Sequence, residues 1–203
     1  MSRADETKTK ILAAAAALFA KSGYEGTSVR EIAKMANVNI AAINYHFGNK
    51  DKLYWETFVQ SIQNMEKHLE ALEASGEIED FVWQMFLVLK EQQDSLINTF
   101  KLMLSASVPE PQGQHEAFCA NNQVGPPGGQ YLAKLISSKY PNLSFEKNRW
   151  AVKMIFSNIV HLALISNSPY VVRLRKVSEE FSDADLQMSI ADHTRAIIQY
   201  VTK

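Results

Sequence analysis

The sequence has few of the residues that crosslink a fold or interrupt its helices. Its 203 residues include one cysteine, six prolines and eight glycines. The single cysteine excludes an internal disulfide framework and fits a reducing compartment. Because the prolines and glycines are few and clustered, they favour long helices joined by short breaks.

The sequence also lacks a long uninterrupted hydrophobic run. Its most apolar stretch, residues 150–165, is too short to span a bilayer comfortably, and four polar residues interrupt it: Lys153, Ser157, Asn158 and His161. No basic, apolar and small-residue signal peptide opens the chain. We therefore expect a soluble cytoplasmic protein that makes no membrane contact.

Motifs of common enzyme classes are missing as well. There is no Gly-x-Ser-x-Gly elbow, and the glycine-rich run at 125–129 lacks the Lys and Ser/Thr of a phosphate-binding loop. His115, Glu116 and Cys119 offer two metal ligands four residues apart, but a complete zinc site needs more ligands. We expect no enzymatic activity, no metal site and no cofactor.

Composition and charge indicate a folded protein with one basic end. Hydrophobic residues make up 46% of the chain, enough to bury a sizeable core. Residues 1–52 hold eight basic and five acidic residues, a net +3, so the remainder carries −4 of the total −1. A basic head on an acidic body suits nucleic-acid contact through one end, although the imbalance is small.

The stretch from Thr27 to Lys50 predicts two short helices joined by a turn. Ser28 and Glu31 have the spacing of a capping box that opens the first helix. Asn37 tolerates the left-handed conformation of a tight turn, and Asn39 suits the N-cap of the second helix. Ile43 and Phe47 then face inward, which leaves the remaining residues outward: Ile40, Ala41, Asn44, Tyr45 and His46.

This arrangement is typical of a helix-turn-helix, whose second helix enters the DNA major groove. On spacing alone, an ordinary corner between two helices is equally compatible with it. The residues after the second helix favour DNA binding. Asn49 is expected to cap a third helix, so Lys50 would lie beside a positive helix N-terminus, which suits an anion such as a phosphate.

The same residues resemble the N-terminal domain of the tetracycline-repressor (TetR) family. The resemblance lies in Gly23-Tyr24, in the run from Gly26 to Ala33, in Val38, and in the run from Tyr45 to Lys50 with Leu53. It covers about the first quarter of the chain, and the order and spacing are specific. One departure is Asn37, where the family usually has Gly; both residues adopt the left-handed turn.

The resemblance implies roles for individual residues. Ile40, Ala41 and Asn44 occupy the positions at which the family contacts base edges. The positions of its usual phosphate contacts are occupied by Ser28, Tyr45, His46 and Lys50. Asn44 suits adenine, and the small Ala41 permits approach to a thymine methyl. Arg30 is open between a base, a phosphate and a nearby acid, and Thr27 between a phosphate and a capping role. Asn39 completes the predicted DNA-binding set.

The rest of the chain predicts an all-α protein with further helices. We divide it into a helix-turn-helix DNA-binding domain, 1–49 (helices 5–22, 28–36 and 39–46), and a helical effector-binding and dimerisation domain, 50–203. Expected helices are 50–75, 79–93, 95–106, 131–140, 145–166, a short one over 169–181, and 183–201. Helix 145–166 is apolar nearly all round, which predicts cover from a partner subunit. Residues 107–129 form an irregular stretch, with a helical turn near 115–120.

The resemblance implies a ligand-responsive repressor that binds a palindromic operator as a homodimer through helices 145–166 and 183–201. A small-molecule effector then moves the helix that begins at Lys50. Candidate lining residues share apolar or aromatic character at helical spacing: Trp83, Phe86, Phe100, Met103, Met154 and His161. Each of these residue types is more often core than pocket. The alternatives are an all-α protein-interaction module without DNA contact and a TetR-like activator without small-molecule release.

Overall fold

The computed structural model describes residues 3–72, 76–110 and 127–203. Within these ranges the chain forms ten helices and no strand, which confirms the all-α prediction. The helices are α1 (Arg3–Ser22), α2 (Val29–Ala36), α3 (Ile40–Phe47), α4 (Lys50–Glu70), α5 (Ile78–Glu91), α6 (Gln93–Met103), α7 (Gly129–Lys139), α8 (Phe145–Ser166), α9 (Pro169–Leu174) and α10 (Asp183–Thr202). None of the described helices has the length and hydropathy that a membrane span requires.

Several predicted helix boundaries differ from the structure, including those of α5 and α6, which span residues 78–91 and 93–103 rather than 79–93 and 95–106. Helix α1 begins at Arg3 rather than Asp5, so residues 3 and 4 are not part of a loose tail. Helix α4 ends at Glu70 rather than near Ser75, because the chain turns where the Leu72 N–H donates to the Leu69 carbonyl, 3.1 Å away. The predicted helical turn near 115–120 lies outside the described residues.

The largest difference from the predicted boundaries concerns the segment after α9. Helix α9 ends at Leu174, well before Phe181. The Arg175 Nε–H donates to the Phe181 carbonyl at 2.6 Å, and Phe181 adopts a positive φ of 59°. This contact folds residues 175–181 back on themselves, which a continuous helix would not allow.

Two compact units divide the chain. One comprises Met1–Asn64 with Ile97–Asn121, and the other comprises Met65–Leu96 with Asn122–Lys203. Two of the three boundaries fall inside helices, since residue 64 lies in α4 and residue 97 lies in α6. The functional boundary between residues 49 and 50 stays a prediction.

The core of the first unit joins α1, α2 and α3 to the beginning of α4. Its buried residues include Ile11 and Phe19 of α1, Ile32 of α2 and Ile43 of α3. Leu102 of α6 belongs to the same cluster and is fully buried. A segment far along the sequence therefore completes the core of the N-terminal head.

The second unit is a helical bundle in which α5, α7, α8 and α10 pack on one another. Its buried side chains come from regularly spaced apolar positions, as burial of one helical face requires: Phe81, Met85 and Leu89; Val152, Ile155 and Ile159; Leu186, Ile190 and Ile197. Polar side chains donate hydrogen bonds to carbonyls near the C-terminal ends of α8 and α10. The Gln93 amide donates to the carbonyls of Ala163 and Leu164, and the Lys147 ammonium donates to the Val201 carbonyl.

Candidate nucleic-acid interface

Helix α2 is fixed by the capping box that the sequence predicts. The Glu31 N–H donates to the Ser28 hydroxyl at 3.2 Å, and the Ser28 N–H donates to the Glu31 carboxylate at 2.9 Å. The Ser28 hydroxyl also donates to that carboxylate, which lowers the pKa of Glu31. The first turn of α2 is thereby ordered with Ser28 exposed at its N-terminus.

The turn between α2 and α3 uses the left-handed residue that the sequence predicts. Asn37 has φ 52° and ψ 51°, and its N–H donates to the Lys34 carbonyl. Val38 packs partly buried against the core of the head. Asn39 then caps α3, because its side-chain oxygen accepts the Ala41 N–H at 2.8 Å.

Helix α3 has the two faces that the sequence predicts. Ile43 and Phe47 are buried in the head core. The opposite face is open, with Tyr45 84% exposed and Asn44 also exposed. Ile40 and Ala41 are exposed as well, whereas His46 is half-buried, with its ring centroid 5.1 Å from that of Tyr45. The open surface of α3 therefore combines a small residue with apolar and polar ones.

Thr27 does not lie on this surface. It is only 2% exposed, and its hydroxyl donates to the carbonyls of Gly23 at 2.8 Å and Leu18 at 3.1 Å. Those bonds tie the end of α1 to the start of α2 and leave no donor for a phosphate. The hydroxyl is therefore structural, which favours the capping role over the phosphate contact for Thr27, and its place in the DNA-binding set stays a prediction. Arg30, one turn farther on, is exposed.

Lys50 begins helix α4 as predicted. Asn49 caps this helix by accepting the Lys52 N–H at 2.8 Å. The Lys50 ammonium lies 4.1 Å from the centroid of the Tyr24 ring, a cation–π geometry. The charge of Lys50 thus coincides with the positive end of the α4 dipole, three residues after the end of α3.

Tyr24 connects this corner to the core. Its ring stacks on Phe19 with centroids 6.1 Å apart and meets Tyr54 edge-on at 5.4 Å. Its hydroxyl donates to the Asp51 carboxylate. Burial and the bond to the Asp51 carboxylate both raise the pKa of Tyr24, so the phenol stays protonated at neutral pH.

A second connection reaches the head from α6, and the sequence did not indicate it. The buried Tyr54 hydroxyl donates to the Leu102 carbonyl at 2.5 Å, and the Trp55 indole N–H donates to the Pro109 carbonyl at 2.9 Å. The sequence pattern places Tyr54 only in the apolar stripe of α4. Its hydroxyl needs a partner once buried, and that requirement is the signal that could have suggested a polar contact.

The predicted effector residues differ in burial and belong to both units. Trp83 and Phe86 stack with ring centroids 5.1 Å apart, and Phe86 is fully buried as core. Met103, Met154 and His161 are exposed, so His161 is not the buried histidine that the apolar helix indicated. Phe100 is half-buried and, like Met103, belongs to the first unit.

A cavity of about 520 Å³ lies elsewhere, in the second unit. It is lined by residues 139–144, Lys147 and residues 201–203. None of the predicted effector residues contributes to it.

The residues that the structure describes contain no group of three side chains able to hold a metal ion. His115, Glu116 and Cys119, the metal-ligand candidates from the sequence, lie outside the described residues.

The sequence of this head is similar to that of known regulators. Residues 11–57 match the family model described as bacterial regulatory proteins, tetR family. The chain is similar to the probable HTH-type transcriptional regulator YttP of Bacillus subtilis, at 45% identity over 64 residues, 32% of this chain and 31% of YttP. It is also similar to the HTH-type transcriptional repressor NicS of Pseudomonas putida, at 30% identity over 93 residues, 42% of this chain and 44% of NicS. These alignments therefore cover less than half of either relative.

Solved structures share the fold over nearly the whole chain. Salmonella enterica GusR aligns with a TM-score of 0.69 at 15% identity and covers 98% of each chain. A TetR variant from Acinetobacter baumannii, in complex with minocycline, aligns with a TM-score of 0.52 at 13% identity and covers 95% of this chain and 97% of its own. A helix-turn-helix domain followed by a helical domain is thus the fold of this protein.

Proposed function

We propose, from the premise that residues 11–57 belong to the tetR family of bacterial regulatory proteins, that this chain is a ligand-responsive transcriptional repressor. It binds a palindromic operator as a homodimer, and a small-molecule effector releases it. The observation that carries the proposal is helix α3, which is anchored by buried Ile43 and Phe47 and open along its other face. Such a regulator works on DNA in the bacterial cytoplasm.

Base reading falls to the exposed face of α3. The Asn44 amide has a donor and an acceptor, which match the N7 and N6 groups of adenine in the major groove. Ala41 has no side chain beyond its methyl group, so the helix can approach a thymine methyl closely. Ile40 adds an apolar surface at the N-terminal end of the helix, where recognition helices contact base edges.

Phosphate contacts surround that face. Ser28 and Asn39 lie at the N-termini of α2 and α3, where free backbone N–H groups favour an anion. Tyr45 and His46 offer side-chain donors at the far end of α3, and Lys50 adds a full charge. Arg30 is exposed and available either to a phosphate or to a base.

Dimerisation falls to α8 and α10. These helices have buried inner faces, yet they also expose large apolar side chains, including Trp150 at 41% and Tyr200 at 71%. The rings of Trp150 and Tyr200 lie 5.4 Å apart, and Met154 and Met188 are exposed on the same two helices. An exposed apolar surface of this kind marks an interface. A second copy covers it in a two-fold arrangement, because each helix then meets the equivalent surface of its partner.

Release by an effector has a mechanical basis in the head. Helices α4 and α6 both contribute to the first unit and both continue into the second. Within the first unit, Tyr54 of α4 is bonded to Leu102 of α6. A ligand that shifts either helix therefore displaces the core on which α3 rests. The effector's chemistry stays open.

Selection of bound sequences from random duplex DNA tests the proposal. The account predicts an enriched palindrome whose half-sites lie about one helical turn, roughly 34–36 Å, apart. Failure to enrich any sequence, with no salt-dependent binding to duplex DNA, would instead favour the all-α interaction module. Thermal-shift screening of small molecules, followed by operator release with each stabilising compound, tests the effector.

A further inference from the structure

We propose that Tyr24 is a positioning residue for Lys50: its ring holds the lysine ammonium ready for a DNA phosphate, and its hydroxyl keeps the Asp51 carboxylate away from that charge. The inference rests on the proposed function, because it assigns a device to the proposed phosphate contact.

The ring of Tyr24 is held firmly enough to orient another group. It packs against Phe19 and Tyr54, and both of these rings are almost completely buried in the head core. The Lys50 ammonium lies 4.1 Å from the centroid of this anchored ring. A lysine side chain otherwise samples many rotamers, and ordering it on the ring before DNA arrives lowers the entropy lost on binding.

An aromatic ring differs from a carboxylate in what it does to the cation. A carboxylate partner would order Lys50 but would also neutralise it, and a phosphate would then have to displace that partner. In the described part of the chain no carboxylate forms an ion pair with Lys50. The ring therefore orders the ammonium and leaves its full charge for the phosphate.

Asp51, the residue directly after Lys50, carries a charge that works against this arrangement. It lies in the first turn of α4, where an acid suits the helix dipole but also repels an approaching phosphate. The Tyr24 hydroxyl donates to its carboxylate and fixes it at the edge of the ring. One side chain thus holds the cation on its face and the acid at its edge.

A double-mutant cycle tests the role of the ring. Tyr24→Leu removes the ring, and we expect it to weaken binding of the selected operator about 3-fold per head, about 10-fold for a dimer with two heads. In the Lys50→Ala background the same change should cost less than about 2-fold, because nothing remains to be positioned. Equal losses in the two backgrounds would show a merely structural role and overturn the inference.

A second cycle tests the hydroxyl and does not disturb the packing of the ring. Tyr24→Phe keeps the ring and frees the Asp51 carboxylate, so operator affinity should fall about 2- to 3-fold, the effect of a weak charge contact. In the Asp51→Asn background Tyr24→Phe should have no effect. A loss of the same size there would overturn the role of the hydroxyl. Unfolding midpoints of all variants show whether Tyr24→Leu is folded at the assay temperature.

Proton NMR of the free protein gives a reading independent of DNA. The Lys50 Hε protons should be shifted upfield by the Tyr24 ring current, and the shift should persist in Tyr24→Phe and vanish in Tyr24→Leu. Lys50 protons without this upfield shift in the unmodified chain would overturn the inference about Tyr24 but would not affect the proposed function. If the unmodified chain binds no duplex, the proposed function fails with it.

Discussion

Replacing Lys50 with alanine should reduce the salt dependence of DNA binding more than it changes sequence preference. Lys50 carries a charge at the N-terminus of α4, three residues after the end of α3. A charge that contacts a phosphate releases counterions, and each such contact contributes about 0.9 to the slope of log affinity against log salt. Because a dimer has two heads, Lys50→Ala should therefore reduce the magnitude of this slope by about 1.8.

This slope converts into a measurable difference. Between about 50 and 200 mM salt, the unmodified dimer should lose roughly ten-fold more affinity than the Lys50→Ala dimer loses. Fluorescence anisotropy with a labelled operator and with a scrambled duplex measures both slopes. Affinity for the two duplexes should fall by a similar factor, because a phosphate contact carries no sequence information.

The matched control is Lys67→Ala, which removes an exposed charge near the other end of the same helix. Its slope should equal that of the unmodified chain. The reasoning would be refuted if Lys50→Ala left the slope unchanged, or if it relaxed sequence preference while Lys67→Ala lowered the slope.

Three further changes test other parts of the account. Asn44→Ala should cost about 1–3 kcal/mol at one adenine position of the operator and leave the salt slope intact; competition with single-base operator variants measures this. Trp150→Glu should convert the dimer to a monomer in light scattering, because it would bury an unpaired charge, whereas Tyr170→Glu, on exposed α9, should not. The hydrogen bond from Lys90 to Asp183 lowers the pKa of Asp183, so its contribution is present at neutral pH and is lost as pH falls through the lowered pKa. Acid unfolding of Asp183→Asn should show a shallower loss of stability below about pH 4, by under about 1 kcal/mol because the Asp183 side chain is 68% exposed. An unchanged loss of stability in acid would contradict this reading.

The head could be predicted almost completely because its signals are local. A capping box, an Asn in a left-handed turn and an Asn N-cap each act over three or four residues, and Ser28, Asn37 and Asn39 adopt those roles. The facing of Ile43 and Phe47 follows from helical periodicity alone.

Contacts between residues far apart in the sequence could not be predicted from it, for a physical reason. Leu102 completes the core of the head from α6, yet nothing beside it in sequence distinguishes it from any other apolar helix residue. Thr27 follows a turn like a surface residue, and only the closeness of Leu18 and Gly23 shows that it is buried. The effector residues stay a prediction, because apolar periodicity separates a buried face from an exposed one but does not separate core from cavity.

The spacing of the two DNA half-sites tests the central claim most directly. Affinity should be compared between the selected palindrome and the same duplex with about five extra base pairs at its centre, which turns one half-site by roughly half a helical turn. If paired α3 surfaces read one face of the duplex together, the insertion should reduce affinity to that of a single half-site. Unchanged affinity for the inserted duplex would contradict the account.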